Sequence, residues 1–76
     1  MKDLIELMAK TLVEDPLAVS VEEKQVDDVT VYELRVAEKD LGRVIGREGR
    51  IAKAMRVIAR SAAARMGKKA TIEIID

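Results

Sequence analysis

Leu4, Ile5, Leu7, Met8, Leu12 and Val13 recur at three- and four-residue spacing, the apolar stripe of an amphipathic helix. Asp3, with Glu6 three residues on, offers a cap for its start. The helix is predicted to run to about Glu14, because proline at position 16 pushes Asp15 out of the α region. The period then falls to two. Val19 and Val21 alternate with polar residues in the segment Leu17 to Val26, and Tyr32, Leu34 and Val36 alternate with Val31, Glu33 and Arg35 in the segment Val29 to Val36. Two strands are expected, joined by a tight turn at Asp27-Asp28, since aspartate tolerates turn geometry and bonds to its own backbone. Asp40 is placed to cap a short helix through Leu41 and Ile45. A longer helix follows from about Arg50, with Ile51, Met55, Ile58, Ala62 and Met66 on one face and Arg50, Lys53, Arg56 and Arg60 on another. Gly67 suits a left-handed helix end, and Ala70 to Ile75 closes the chain as a strand with Ile72 and Ile74 on one face. The predicted order is α-β-β-α-α-β, an α+β fold in which a three-stranded mixed sheet carries its helices on one face. One domain is expected over residues 1–76.

Between the two later helices stands Val44-Ile45-Gly46-Arg47-Glu48-Gly49-Arg50-Ile51, a Gly-x-x-Gly turn surrounded by arginine. Glycine permits positive φ and lets another chain approach the backbone, while N–H groups near a helix start attract phosphate. Charge sharpens this picture. The chain is neutral overall, yet residues 1–40 hold five Lys and Arg against eleven Asp and Glu, whereas residues 41–76 hold nine against three. The basic half contains the glycine turn, so single-stranded nucleic acid is the first ligand to test.

The composition excludes other chemistry. Cysteine and histidine are absent, which removes disulfides, thiolate metal sites and the commonest general base. Lys2, Asp3, Glu6 and Lys10 interrupt the start of the chain, and no apolar run reaches membrane-spanning length, so a soluble cytoplasmic protein that engages no membrane is expected. A chain of 76 residues is small enough to gain stability from pairing.

A helix, Gly-x-x-Gly and helix set between strands resembles a KH domain, and the α-β extension ahead of β-α-α-β looks like the type II arrangement. The phrase Gly-Arg-Glu-Gly-Arg-Ile-Ala-Lys-Ala-Met-Arg, from Gly46 to Arg56, is most similar to the small bacterial single-KH proteins of the KhpA family. The resemblance covers nearly the whole chain. It implies cytoplasmic binding of single-stranded RNA, homodimers, association with a larger KH-domain protein, and a role as RNA chaperone or post-transcriptional regulator without a cofactor. In a KH domain the loop clamps about four nucleotides. On that pattern Gly46 and Gly49 admit the phosphodiester backbone, Arg47 and Arg50 contact phosphate, and Lys53 extends the positive surface. Val44 and Ile51, with Val36 from the neighbouring strand, are the expected apolar groove for bases, and Ile45 counts among the RNA-binding residues of the motif. Glu48 departs from the scheme, because its carboxylate opposes phosphate, and modest, salt-sensitive binding follows.

Each feature also has a plainer reading. Gly46 and Gly49 could simply shape a turn between helices. The far end of the arginine stripe reads as a solvated helix face, and Met55 and Met66 as core fillers. Ala59, Ala62 and Ala63 are a candidate dimer surface, or merely good helix formers. Tyr32, the single aromatic residue, excludes a stacking platform of the RRM kind. Three functional rivals stay open: a KH module that docks partners and binds little RNA, a helix-turn-helix reader of DNA, and an enzyme. The DNA reader requires an exposed second helix, whereas Ile51, Met55 and Ile58 commit a face to the core. An enzyme is disfavoured, because the glycine turn is too short for a P-loop and no nucleophile–base pair is visible.

Overall fold

The first apolar stripe forms α1 (Lys2–Leu12), which buries Ile5 and Ala9. The structure, a computed structural model, describes residues 1–75 and every side chain among them except those of Arg47 and Glu48. Two details of α1 differ from expectation. Met1 occupies the N-cap position and no side chain caps the helix, so Asp3 serves instead as an acid in the first turn, where it complements the helix dipole. The helix also ends two residues before Glu14, and a short 3-10 helix over Pro16–Ala18 follows, with proline at its start. Leu17, expected to open the first strand, lies in this turn and is 97% exposed.

Strand β1 (Ser20–Val26) therefore begins later than the alternation suggested, and β2 (Val29–Arg35) follows through the Asp27-Asp28 turn. Asp27 takes φ 55°, the left-handed conformation that aspartate tolerates better than most residues. The two strands pair antiparallel, with Val21 opposite Leu34 and Glu23 opposite Tyr32. Strand β3 (Lys69–Ile75) pairs parallel to β2, placing Ile72 beside Tyr32 and Ile74 beside Leu34. The sheet is thus mixed, in the order β1-β2-β3. Its core face contributes Val21, Tyr32, Leu34 and Ile72, packed against Ile5 and Ala9 of α1 and against Met55 and Ala59 of the second long helical segment. Both helical elements therefore cover the same face.

That segment, α2 (Glu38–Arg65), is hydrogen-bonded as a helical run of 28 residues. Straight, it would measure about 42 Å at 1.5 Å per residue. The longest extent of the molecule is 35 Å, so the run bends. Gly49 marks the place, with φ 67° inside the helical run, a conformation that a right-handed helix cannot continue through. Two helical arms result, residues 38–48 and 50–65, and the α-β-β-α-α-β order holds although no loop separates them.

The second arm is rotated from its expected register. Ala52, Met55, Ala59 and Ala63 are its buried residues, whereas Ile58 and Met66 are 46% and 55% exposed. Alanines at 52, 59 and 63 let the helix lie close on the sheet, and the larger Ile58 and Met66 face outward. Ala59 and Ala63 are consequently core residues, 0% and 1% exposed, and not a dimer surface; of that expected set only Ala62 is partly exposed. Arg56 also leaves the expected solvated stripe, because its Nε donates to the Ile72 carbonyl at 3.2 Å and ties α2 to β3. The arm ends as glycine predicts. Gly67 takes φ 69°, its N–H donates to the Ala64 carbonyl at 3.0 Å, and the Lys68 N–H donates to that of Ala63 at 2.9 Å, the paired bonds of a Schellman end.

Candidate functional site

Gly49 forms the bend and Gly46 precedes it by one turn of helix, and the two differ in their need for glycine. A Cβ placed on either residue would meet, within 4 Å, no atom of the described residues beyond its chain neighbours and the adjacent turns of its own helix backbone. At Gly49 the positive φ gives an internal reason for glycine. Gly46 has none: it sits in helical backbone, where glycine costs about 1 kcal/mol relative to alanine. Gly42, one turn earlier, is in the same position. Glycines that no internal packing demands leave backbone open to something outside the chain.

These residues line a recess of about 560 Å³ formed by Gly42, Arg43, Gly46, Arg50 and Ile51. Two helical glycines, the half-buried Ile51 and two arginines line it. Such a surface suits an anion that presents an apolar or aromatic neighbour, because arginine forks match paired oxygens while the bare backbone permits close approach.

Asp40 secures the arm that carries the recess. Ala37 is the N-cap, so Asp40 lies in the first turn of α2 and does not begin the helix as expected. Its side chain, 1% exposed, turns away from its own helix toward the end of α1. Oδ1 accepts from the Glu14 N–H at 3.0 Å and Oδ2 from the Asp15 N–H at 3.1 Å. Those amides follow α1 and precede the 3-10 helix, so the carboxylate satisfies two donors that regular structure leaves unpaired. The Glu14 N–H is the main cause holding the Asp40 carboxyl below its ordinary pKa; burial opposes the shift, and the Asp15 N–H, Lys39 and Arg43 add to it. Beside this bond, Arg43 Nη2 donates to Glu14 Oε1 at 2.9 Å.

The remaining predicted site residues divide. Gly46, Arg50 and Ile51 meet in the recess. Val44 is 1% exposed and belongs to the core, so it does not line an open groove for bases. Val36 packs against the core cluster and borders a second, smaller recess of about 390 Å³ with Arg35, Glu38, Leu41 and Ile75. Ile45 is half-exposed, and Lys53 is exposed farther along α2. Arg47 and Glu48 were expected at the turn, and their side chains lie outside the described residues. Gly42 and Arg43 were missed, although their spacing was legible: residues three and four before Gly46 share its helix face. Tyr32 is unrelated to this site. It is 5% exposed, and burial first, then the Glu23 carboxylate beside it, raises its hydroxyl pKa.

Residues 2–74 match the family described as KhpA/KhpB, KH domain. "RNA-binding protein KhpA" of Clostridium perfringens is 45% identical over 75 residues, which cover 99% of this chain and 100% of that protein. The protein of the same name from Aquifex aeolicus is 42% identical over 76 residues, covering 100% and 96%. That from Listeria monocytogenes is 40% identical over the whole of both chains, 76 residues. Among solved structures, Aquifex aeolicus Era bound to GDP.AlF4- shares the fold with a TM-score of 0.64 at 24% identity, over 96% of this chain and 28% of that one.

Proposed function

Since this chain belongs to the KhpA/KhpB KH-domain family, we propose that it binds RNA, as the names of its relatives say of them, that the RNA is single-stranded, and that it does so without catalysis. About four nucleotides are clamped between the Gly46–Gly49 bend and the recess beside it. Phosphates lie over Gly42 and Gly46, with Arg43, Arg47 and Arg50 supplying charge, and a base rests against Ile51 with Ile45 at the rim. The observation that carries this reading is Gly46, a helical glycine with open space above it and no packing reason to be glycine. Such a short contact binds modestly and weakens with salt, so pairing with a second copy or a larger KH protein would raise occupancy through effective concentration. The working role is that of an RNA chaperone or post-transcriptional regulator.

Binding of a fluorescent single-stranded RNA at low and moderate salt tests this, comparing the native chain with the double variant Arg47→Asp/Glu48→Asp, which keeps both glycines. Loss of binding at unchanged thermal stability supports the clamp. Equal binding by both proteins moves the site elsewhere, and no binding by either favours a docking module.

A further inference from the structure

Arg43 borders the recess, and in the free chain its guanidinium is held by the carboxylate of Glu14, 29 residues away in sequence, at 2.9 Å. The contact is built from both ends. Asp40 pins the main chain of Glu14 and Asp15 to the first turn of α2. Arg43 stands one turn farther along that helix, within reach of the Glu14 side chain. A carboxylate presents two oxygens much as a phosphodiester does, and a guanidinium takes either through the same fork. The side chains of Arg43 and Glu14 are 50% and 60% exposed, so solvent weakens their pair and makes it exchangeable.

From this geometry we infer that Glu14 is a built-in competitor for phosphate at Arg43, occupying the guanidinium in the free chain and yielding it when nucleic acid enters the recess. The inference rests on the RNA-binding reading, in which Arg43 is a phosphate contact, and adds to it Glu14 as the group that sets the availability of that contact. Because Asp40 keeps Glu14 anchored by its backbone, the displaced carboxylate stays nearby and re-forms the pair when phosphate leaves. The device lowers affinity and favours fast release.

A double-mutant cycle on the full chain tests it, with native protein, Glu14→Gln, Arg43→Gln and the double variant titrated with a short fluorescein-labelled single-stranded RNA across a salt series. Removing the competitor in Glu14→Gln is expected to tighten binding about two- to five-fold at low salt, the range of an exposed ion pair. Arg43→Gln should weaken binding and reduce the slope of log affinity against log salt by about 0.7, one phosphate contact. In the Arg43→Gln background, Glu14→Gln should then change little. Weaker or unchanged binding by Glu14→Gln overturns the inference, and so does an equal gain in both backgrounds, which is simple long-range repulsion. The Arg47→Asp/Glu48→Asp variant, measured alongside, separates the two levels. If the native chain binds and that variant does not, a flat cycle removes only the competitor; if the native chain fails to bind, the RNA reading falls and the competitor with it.

Discussion

The two arms of α2 are continuous in sequence and differ in what fixes them. The second, residues 50–65, buries Ala52, Met55, Ala59 and Ala63 against the sheet, and its composition follows from how closely a helix must lie on that surface. The first, residues 38–48, buries only Val44 and the carboxylate of Asp40 among its described side chains. It is held by a polar bond to the end of α1, and it carries two helical glycines that no packing explains. One arm is written by the inside of the molecule; in the other, internal packing among the described residues leaves two glycines unaccounted for.

Substitutions should separate the arms sharply. The largest effect is expected from Ala59→Glu, which forces a carboxylate into a site with 0% exposure and should abolish cooperative unfolding in circular dichroism. The adjacent Ile58→Glu, at a half-exposed position, should stay within about 0.5 kcal/mol of native stability in urea, confirming the rotated register. Asp40→Asn comes next. The native carboxyl has a depressed pKa, so its contribution is present above about pH 4, the ordinary carboxylate value, and is lost as pH falls through the folded value. Thermal melts should accordingly show native and variant far apart at neutral pH and converging in acid; a constant gap across that range would mean that the ionised form of Asp40 is not what anchors the arm. Gly49→Ala should cost about 1–2 kcal/mol in urea unfolding, because alanine resists φ 67°. A smaller effect, and of opposite sign, belongs to Gly46.

How far the sequence disclosed this molecule depends on the arm as well. Strand alternation, the Asp27-Asp28 turn and the Gly67 helix end rest on local backbone preferences and were legible directly. The register of the second arm was not, because Ile58 and Met66 look more like core residues than alanine does. Only the closeness of helix and sheet, a tertiary property, makes Ala59 and Ala63 the better fit. The glycine turn was legible as a motif, and its resemblance to a KH domain placed it in the right family. Asp40 looks like a local cap in the sequence because its partners, Glu14 and Asp15, are 26 and 25 residues away, beyond any local rule. For Arg43 the helix face shared with Gly46 is legible from spacing, whereas its pairing with Glu14, 29 residues away, is not.

The most direct measurement is Gly46→Ala, with thermal stability and single-stranded RNA affinity taken on the same preparation. If the glycine serves an external chain, alanine should stabilise the helix by about 0.5–1 kcal/mol and weaken RNA binding at the same time. Unchanged affinity, or a loss of stability, would mean that Gly46 answers to the fold and that nucleic acid does not approach this backbone.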